Sequence, residues 1–353
     1  MSGNRADDAL TTLLQPFADG LLDWPDAQGG VLFLRAREGA SVNEVQRAAW
    51  CCEQEFKPAF DALQRAGFAT TALDDLDPAR RFAVVLLLPP RQREEARALL
   101  AQAVARCAPN GRVVACMRND EGARTGEDDL RRIAGEVHSL SKRKCRVFWT
   151  APLQAPADAA LAQQWRELDA PRPILDGRFT SRPGIFAWDR VDAASALLAS
   201  RLPASLSGHA ADLGAGYGYL STELLARCPQ IGAIDLYEAQ ARALAMARLN
   251  LQAARVPVNF FWHDVATGLP RRYDVIVSNP PFHAQGREDR PDIGRRFIFV
   301  AAQSLHPDGC FWMVANRHLP YEQVLADSFA EARTVAQAHG FKVIKARRPR
   351  QAP

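Results

Sequence analysis

The first half of the chain alternates short apolar runs with stretches of helical spacing. Val31-Leu32-Phe33-Leu34 follows Gly29-Gly30 and predicts a buried strand. Helical spacing runs from Val42 to about Phe56. Phe82 to Leu88 is apolar throughout and stops at Pro89-Pro90, as a central parallel strand does. Glu94 to Cys107, rich in Ala and Leu, predicts a helix, and Val113 to Cys116, after Asn110-Gly111, predicts the next strand. Residues 151–177 are rich in Ala and Pro, with one helix expected around Leu161–Leu168 and no clear strand. From about Ile174 the rhythm resumes. His209 to Leu213 leads into a glycine cluster, and Ile231–Leu236, Val258–Trp262, Tyr273–Ser278 and Phe311–Ala315 follow as apolar runs. Helices are expected between them, Ala239–Gln252 most clearly. Strand–helix alternation implies an α/β fold of mostly parallel sheets flanked by helices. The expected organisation is a first domain over 1–155, a linker over 156–175 and a second domain over 176–353.

The halves resemble each other. RRFAVVLLLPP (Arg80–Pro90) parallels RRYDVIVSNPP (Arg271–Pro281), and each is followed by a helical stretch, a Gly turn and an apolar strand. Shared order and spacing favour an internal duplication over chance likeness of buried strands. A length of 353 residues suits two domains, and 48% hydrophobic with 24% charged residues suits packed cores. A formal net charge of +4 permits nucleic acid as a partner without requiring it. Seven cysteines, with no C-x-x-C pair, argue for reduced thiols in a cytoplasmic protein, without a metal cluster or disulfide framework. The first residues lack the basic start and apolar core of a signal peptide. No uncharged apolar run reaches the ~20 residues that span a bilayer, so no membrane partner is expected.

The strongest motif is Asp212-Leu213-Gly214-Ala215-Gly216-Tyr217-Gly218, between a strand and the helical stretch Leu220–Ala226. Glycines let ligand atoms approach the backbone. An acid directly before them repels phosphate and suits a cation, such as the α-amino group of a methionine moiety. Asp235 lies near the end of the next strand, about 20 residues on, where such folds place a ribose-binding acid, with Glu238 as the fallback. Asp264 follows the third strand and can accept from an adenine amino group. Three acids around one glycine loop outweigh the alternatives, a dinucleotide-binding oxidoreductase or a glycine turn without a ligand.

The fourth strand ends in Asn279-Pro280-Pro281-Phe282. Strand ends of an open α/β sheet point into the ligand crevice, and the prolines stiffen the turn. The Asn279 oxygen and a backbone carbonyl such as that of Pro280 can accept both N–H groups of a target –NH₂. That leaves the nitrogen lone pair aimed at a methyl sulfonium. Phe282 is placed to stack on a planar base. His283 either contacts substrate or is a satisfied histidine, and Tyr217 either lines the pocket or packs beside it.

The glycine loop together with Asn279-Pro280-Pro281-Phe282 resembles class I S-adenosylmethionine-dependent methyltransferases acting on N6 of adenine, N2 of guanine or N5 of glutamine. Thr180-Ser181-Arg182-Pro183-Gly184-Ile185-Phe186, Val314 to Tyr321 and Gly340 to Ala346 resemble the bacterial ribosomal RNA guanine-N2 methyltransferases, nearest to their small-subunit branch. The resemblance is specific over about 172–348 and weaker before it. It implies two tandem class I (Rossmann-like) methyltransferase domains. Only the second would bind S-adenosylmethionine, and the target would be N2 of a guanine in 16S rRNA, within the 30S subunit. The first half has Leu88 where the second has Asn279, and Arg35-Ala36-Arg37-Glu38-Gly39 where a glycine loop would stand. By resemblance, that half serves folding and RNA binding. Arg317-His318-Leu319 also matches the sister enzyme of 23S rRNA, which keeps the subunit open. Methylation of adenine or of protein glutamine, and a non-catalytic RNA-binding assembly factor, are the other readings. Expected RNA contacts are Arg287 to Arg296 first, then Arg271, Arg272, Arg317, Lys342, Lys345, Arg347, Arg348, Arg350 and the run Ser141–Arg146.

Overall fold

The computed structural model describes residues 5–26, 28–39, 42, 49–72, 75–281 and 291–350. The chain divides into two compact units, Met1–Ala170 and Pro171–Pro353.

The first unit is built on seven strands: β1 (Val31–Leu34), β2 (Trp50–Glu53), β3 (Ala69–Thr71), β4 (Phe82–Leu87), β5 (Cys107–Arg118), β6 (Val137–Lys142) and β7 (Cys145–Thr150). Their order is β3-β2-β1-β4-β5-β7-β6. The pairs are parallel except at β7, which runs antiparallel to β5 and β6. Both faces are covered: Leu32, Val85 and Leu100 belong to one apolar cluster, and Phe33, Val84 and Leu86 to the other. Double coverage is why β1 and β4 read as unbroken apolar runs.

The second unit opens with a small antiparallel hairpin, β8 (Arg172–Ile174) and β9 (Phe179–Ser181). Its main sheet comprises β10 (Ser207–Leu213), β11 (Gln230–Glu238), β12 (Val258–Trp262), β13 (Tyr273–Ser278), β14 (Leu305–Asn316), β15 (Phe329–Ala338) and β16 (Phe341–Pro349). The order β12-β11-β10-β13-β14-β16-β15 repeats that of the first unit, again with the second-last strand antiparallel to its neighbours. β4 and β13 take the same place in the two orders, matching the parallel between Arg80–Pro90 and Arg271–Pro281. The tandem α/β architecture expected from the sequence is therefore present.

Several local expectations are revised. The helical spacing ending near Phe56 contains β2, whose four residues are all buried. A short strand covered on both faces carries no alternation, so periodicity cannot separate it from a helix face. The helix expected around Leu161–Leu168 is present and packs on the first unit. Helix Ala159–Glu167 starts at an Asp158 cap that accepts from the Leu161 N–H at 2.8 Å. Its Trp165 is buried in the first unit, with the Arg97 and Arg132 guanidiniums over the ring. β8 then begins within the second unit. Ser141–Arg146 spans the tip of the β6–β7 hairpin, whose turn residues Arg143 and Lys144 take φ of 53° and 56°, as two-residue hairpin turns require.

Candidate active site

The carboxyl ends of β10, β11, β12 and β13 bring the sequence motifs to one edge of the second sheet. β10 delivers Asp212 and then the glycine loop. Gly214, Gly216 and Gly218 have φ of 75°, 56° and 91°, the left-handed region that favours glycine. The Gly214 and Ala215 N–H groups donate to the Tyr237 carbonyl at 2.8 and 3.2 Å, tying the loop to β11. A Cβ at Gly218 would sit 3.2 Å from Leu251 Cδ1 and 3.3 Å from Ala247 Cβ, whereas one at Gly216 would meet open space. Gly218 thus serves packing, and Gly216 leaves the face of the loop clear for a ligand.

Asp212 is fully buried. Its Oδ2 accepts from Ser221 Oγ at 2.7 Å, and its Oδ1 has no hydrogen-bond partner. Burial pushes its carboxyl up to about 7, eased by Ser221 and reinforced by the nearby Glu238 charge. A buried carboxylate oxygen without a donor beside an open glycine loop fits a cationic ligand group.

Asp235 is not at this edge. It pairs with Ala211 and Asn259 inside the sheet, fully buried. Its carboxylate accepts from Asn259 Nδ2 at 2.8 Å and Tyr273 OH at 2.7 Å, lies 3.0 Å from His209 Nε2, and pairs with Arg271 at 3.3 Å. Burial raises its pKa, and the bonds from Asn259, Tyr273 and His209 outweigh that and hold it below the usual range. These partners come from the amino-terminal parts of their strands, so the Asp235 carboxylate braces the interior of the sheet, away from the ligand edge. Three residues on, Glu238 ends β11. Its Oε2 accepts from Gly216 N–H and its Oε1 from Gln240 N–H, both at 2.8 Å. Each oxygen retains a lone pair for a ligand hydroxyl. Of the two acids, Glu238 is the one at the end of β11, against the glycine loop.

Asp264 is half-buried and caps a short 3₁₀ turn, Val265–Thr267, accepting from Ala266 N–H at 2.9 Å. The neighbouring His263 N–H donates to the Glu238 carbonyl at 3.0 Å, which keeps this turn against the end of β11. The segment Phe179–Arg190 walls the glycine loop. Asn250 Nδ2 donates to the Thr180 and Tyr217 carbonyls at 2.9 and 2.8 Å, and Arg242 to the Pro183 carbonyl at 3.0 Å. Tyr217 packs rather than lines: it is buried against Phe179 and donates to the Arg190 carbonyl at 3.2 Å.

At the end of β13, Ser278 Oγ donates to the Leu213 carbonyl at 2.7 Å, joining the two functional turns. Asn279 Nδ2 donates to Asp192 Oδ2 and to Ser195 Oγ, both at 2.9 Å. Its Oδ1 is buried and has no partner. Pro280 is buried and Pro281 exposed. Phe282, His283, Arg287 and Arg290 lie outside the described residues. Asp192 and Ser195 have no sequence signature beyond an ordinary helix cap and were not foreseen.

Several basic residues expected to meet RNA are already engaged. Lys342 is buried, donating to the Leu319 carbonyl and pairing with Glu322 at 2.7 Å. Arg348 pairs with Glu331, Arg146 with Glu127, and Arg143 with Gln15. Arg296 donates to the Ala266 carbonyl. Arg317 is exposed directly after β14, on the site edge, and Arg295 is exposed on helix Pro291–Gln303. Among the described residues no His, Cys, Asp and Glu cluster suits a metal ion.

The methyltransferase small domain family matches residues 176–345. A ribosomal RNA small subunit methyltransferase C of Pseudomonas aeruginosa is 31% identical over 314 residues, covering 88% of this chain and 91% of its own length. The protein of that name from Psychromonas ingrahamii is 28% identical, covering 77% of each chain. Among solved structures, a T. thermophilus 16S rRNA guanine-N2 methyltransferase in complex with AdoMet and guanosine superposes with a TM-score of 0.77 at 26% identity. That match covers 96% of this chain and 91% of the other.

Proposed function

The chain belongs to the ribosomal RNA small subunit methyltransferase C family, and we propose that its second unit methylates the exocyclic N2 amino group of a guanine in 16S rRNA. The observation that carries the chemistry is Asn279: a half-buried side chain whose nitrogen is anchored and whose buried oxygen is left without a donor. S-adenosylmethionine, when bound, supplies an electrophilic methyl group on a sulfonium. Asp212 Oδ1 receives the cationic amino group of that cofactor, Glu238 its ribose hydroxyls and Asp264 its adenine amino group. Asn279 Oδ1 accepts one N–H of the target –NH₂ and the Pro280 carbonyl the other. Both bonds turn the nitrogen lone pair away from the amide and hold it there. The nitrogen would take the methyl group as the C–S electron pair leaves with a neutral thioether and, cationic once methylated, would lose one N–H proton to solvent. No strong base is required, because orientation supplies much of the rate of such a transfer. Phe282 follows directly in sequence and is assigned the stacking of the extruded base.

The assembled 30S particle is the substrate in this reading, and exposed Arg317 and Arg295 are phosphate contacts. The protein then works in the cytoplasm, where its substrate is. Among the described residues no helix is long and apolar enough to cross a membrane. The test is labelled methyl transfer to 30S particles, 50S particles and free rRNAs from a strain lacking the gene, followed by nucleoside analysis. N2-methylguanosine in 16S rRNA is expected, whereas label confined to 23S rRNA, adenine or protein overturns the assignment. A chain with no calorimetric affinity for S-adenosylmethionine would be an assembly factor. Asn279→Ala is expected to keep cofactor affinity and to lower kcat by about 100-fold or more, the scale of losing one aligned acceptor.

A further inference from the structure

We propose that Asp192 and Ser195 are positioning residues that set the hydrogen-bond polarity of Asn279, and so make the site select an amino group over a carbonyl. The inference rests on the amino-methyltransferase reading above and names what aims its central side chain. An amide has two ends of nearly equal shape and opposite polarity. With its NH₂ toward the crevice, Asn279 would repel a target amino group and attract a carbonyl oxygen. Guanine presents both kinds of group, so the sense of the amide decides which is held.

The fold removes that freedom. A carboxylate only accepts, so the end of Asn279 that faces Asp192 Oδ2 at 2.9 Å must be the nitrogen. Ser195 Oγ, also at 2.9 Å, takes the second N–H. Both donors of the amide are then used on the protein, and Oδ1 is left buried and free to accept. Asp192 is itself fixed, because its Oδ2 also accepts from the Ser195 N–H at 2.8 Å as the cap of helix Ala193–Arg201. That helix is anchored by buried Ala194, Leu198 and Ala199. A cap 87 residues upstream of the catalytic turn therefore aims its side chain. The Asp192 carboxylate beside the NH₂ also polarises the amide and strengthens Oδ1 as an acceptor.

The decisive experiment compares two substitutions of the acceptor. Asp192→Ala removes the oxygen that faces the Asn279 nitrogen, so the amide is free to turn its NH₂ to the target. The kcat of this variant is expected to fall about 100-fold, with KM for S-adenosylmethionine and RNA within about threefold of wild type. In Asp192→Asn an oxygen in the Oδ2 position still accepts from both the Ser195 N–H and Asn279 Nδ2, so the cap and the polarity are kept and only the charge is lost. Its kcat is expected to exceed that of Asp192→Ala by about tenfold or more, since one aligned hydrogen bond is retained. The proposal is overturned if Asp192→Ala stays within about twofold of wild type, or if Asp192→Asn binds cofactor normally and is as slow as Asp192→Ala. Should Asp192→Ala fail to fold, Ser195→Ala decides. It keeps the cap and removes one anchor, so a fall in kcat at unchanged KM is expected, and an unchanged kcat overturns the idea. The wild-type product identifies the substrate separately from these ratios. A methylated base other than guanine would refute the rRNA assignment without touching them, and no transfer at all would sink both.

Discussion

Asp212 holds a charge that the ligand-free fold resists. Its carboxyl is raised from 3.8 to about 7, first by desolvation, with the Ser221 bonds opposing and Glu238 adding to the rise. The folded chain therefore binds this proton more tightly than the unfolded chain, and stability falls as pH rises from about 4 to about 7 and levels off above. A shift of roughly three units at about 1.4 kcal/mol each gives up to about 4 kcal/mol of cost above pH 7, and about 2 kcal/mol at pH 5. Asp212→Asn keeps the shape and removes the charge. Relative to wild type, its unfolding free energy should climb through that window, apart from a constant offset for the amide. Urea unfolding of both proteins from pH 4 to pH 8 reads the difference, in which the other titrating groups cancel. Function pulls the opposite way. A cationic ligand at Oδ1 favours the ionised carboxylate, so S-adenosylmethionine should bind more tightly as pH rises through about 7 and release a proton below it. Calorimetry in buffers of different ionisation enthalpy counts that proton, and Asp212→Asn should bind weakly and release none. A stability difference that does not vary with pH, or equal proton release by the variant, would refute the reasoning.

Asp235→Ala leaves the donors of Asn259, Tyr273 and Arg271 without their acceptor. It should cost about 3–5 kcal/mol in denaturant unfolding, with cofactor affinity in the folded protein unchanged. Glu238→Gln should do the reverse, weakening cofactor binding by about tenfold as one charge-assisted acceptor is lost, with little change in melting. In RNA binding followed against salt, Arg317→Ala should lower the slope by about one, whereas Lys342→Met should leave it unaltered and lower stability instead.

The strands that carry the site were legible because they are covered on both faces and end at glycine or proline. β12 and β13 span the residues expected, and β10 differs only by two at its start. The acid at the end of β11 was harder to place. A count of about 20 residues from the glycines lands on Asp235, but β11 extends three residues past it, and only pairing shows that Asp235 sits beside Ala211 while Glu238 lies beyond Leu213. The helix within 151–177 was legible, but the Ala and Pro around it hide that one buried tryptophan, Trp165, seats it on the first unit. The edge strands β6 and β15 were missed because they are largely exposed and lack the apolar runs that mark the centre. Asp192 and Ser195 were invisible for a different reason. D-x-x-S is a sound cap in its own right, and only the folded chain brings it to Asn279.

The two units, compared position by position, explain why one cofactor site is expected and where the other went. β1 and β10 occupy the same place in their sheets, but Gly214 follows β10 and Arg35 follows β1. Arg35 adopts φ of 55°, the left-handed turn that Gly214 makes without strain. The acid at the end of the adjacent strand survives in both: Glu238 accepts from Gly216 N–H, and Glu53 accepts from Arg35 N–H at 2.9 Å. The first unit therefore keeps the carboxylate and supplies its own cation. Burial opposes the charge on Arg35, but Glu95, Glu53 and Glu55 outweigh it and keep the guanidinium ionised, with Glu95 in direct contact. The guanidinium thus pairs with Glu95, and the Arg35 N–H gives Glu53 the backbone donor that Gly216 gives Glu238. Leu88 in place of Asn279 completes the change, because a side chain without hydrogen-bonding atoms cannot present an acceptor to a target amine. The first unit thus lacks both the glycine loop and the amide, and calorimetric titration of the intact chain should saturate at one S-adenosylmethionine.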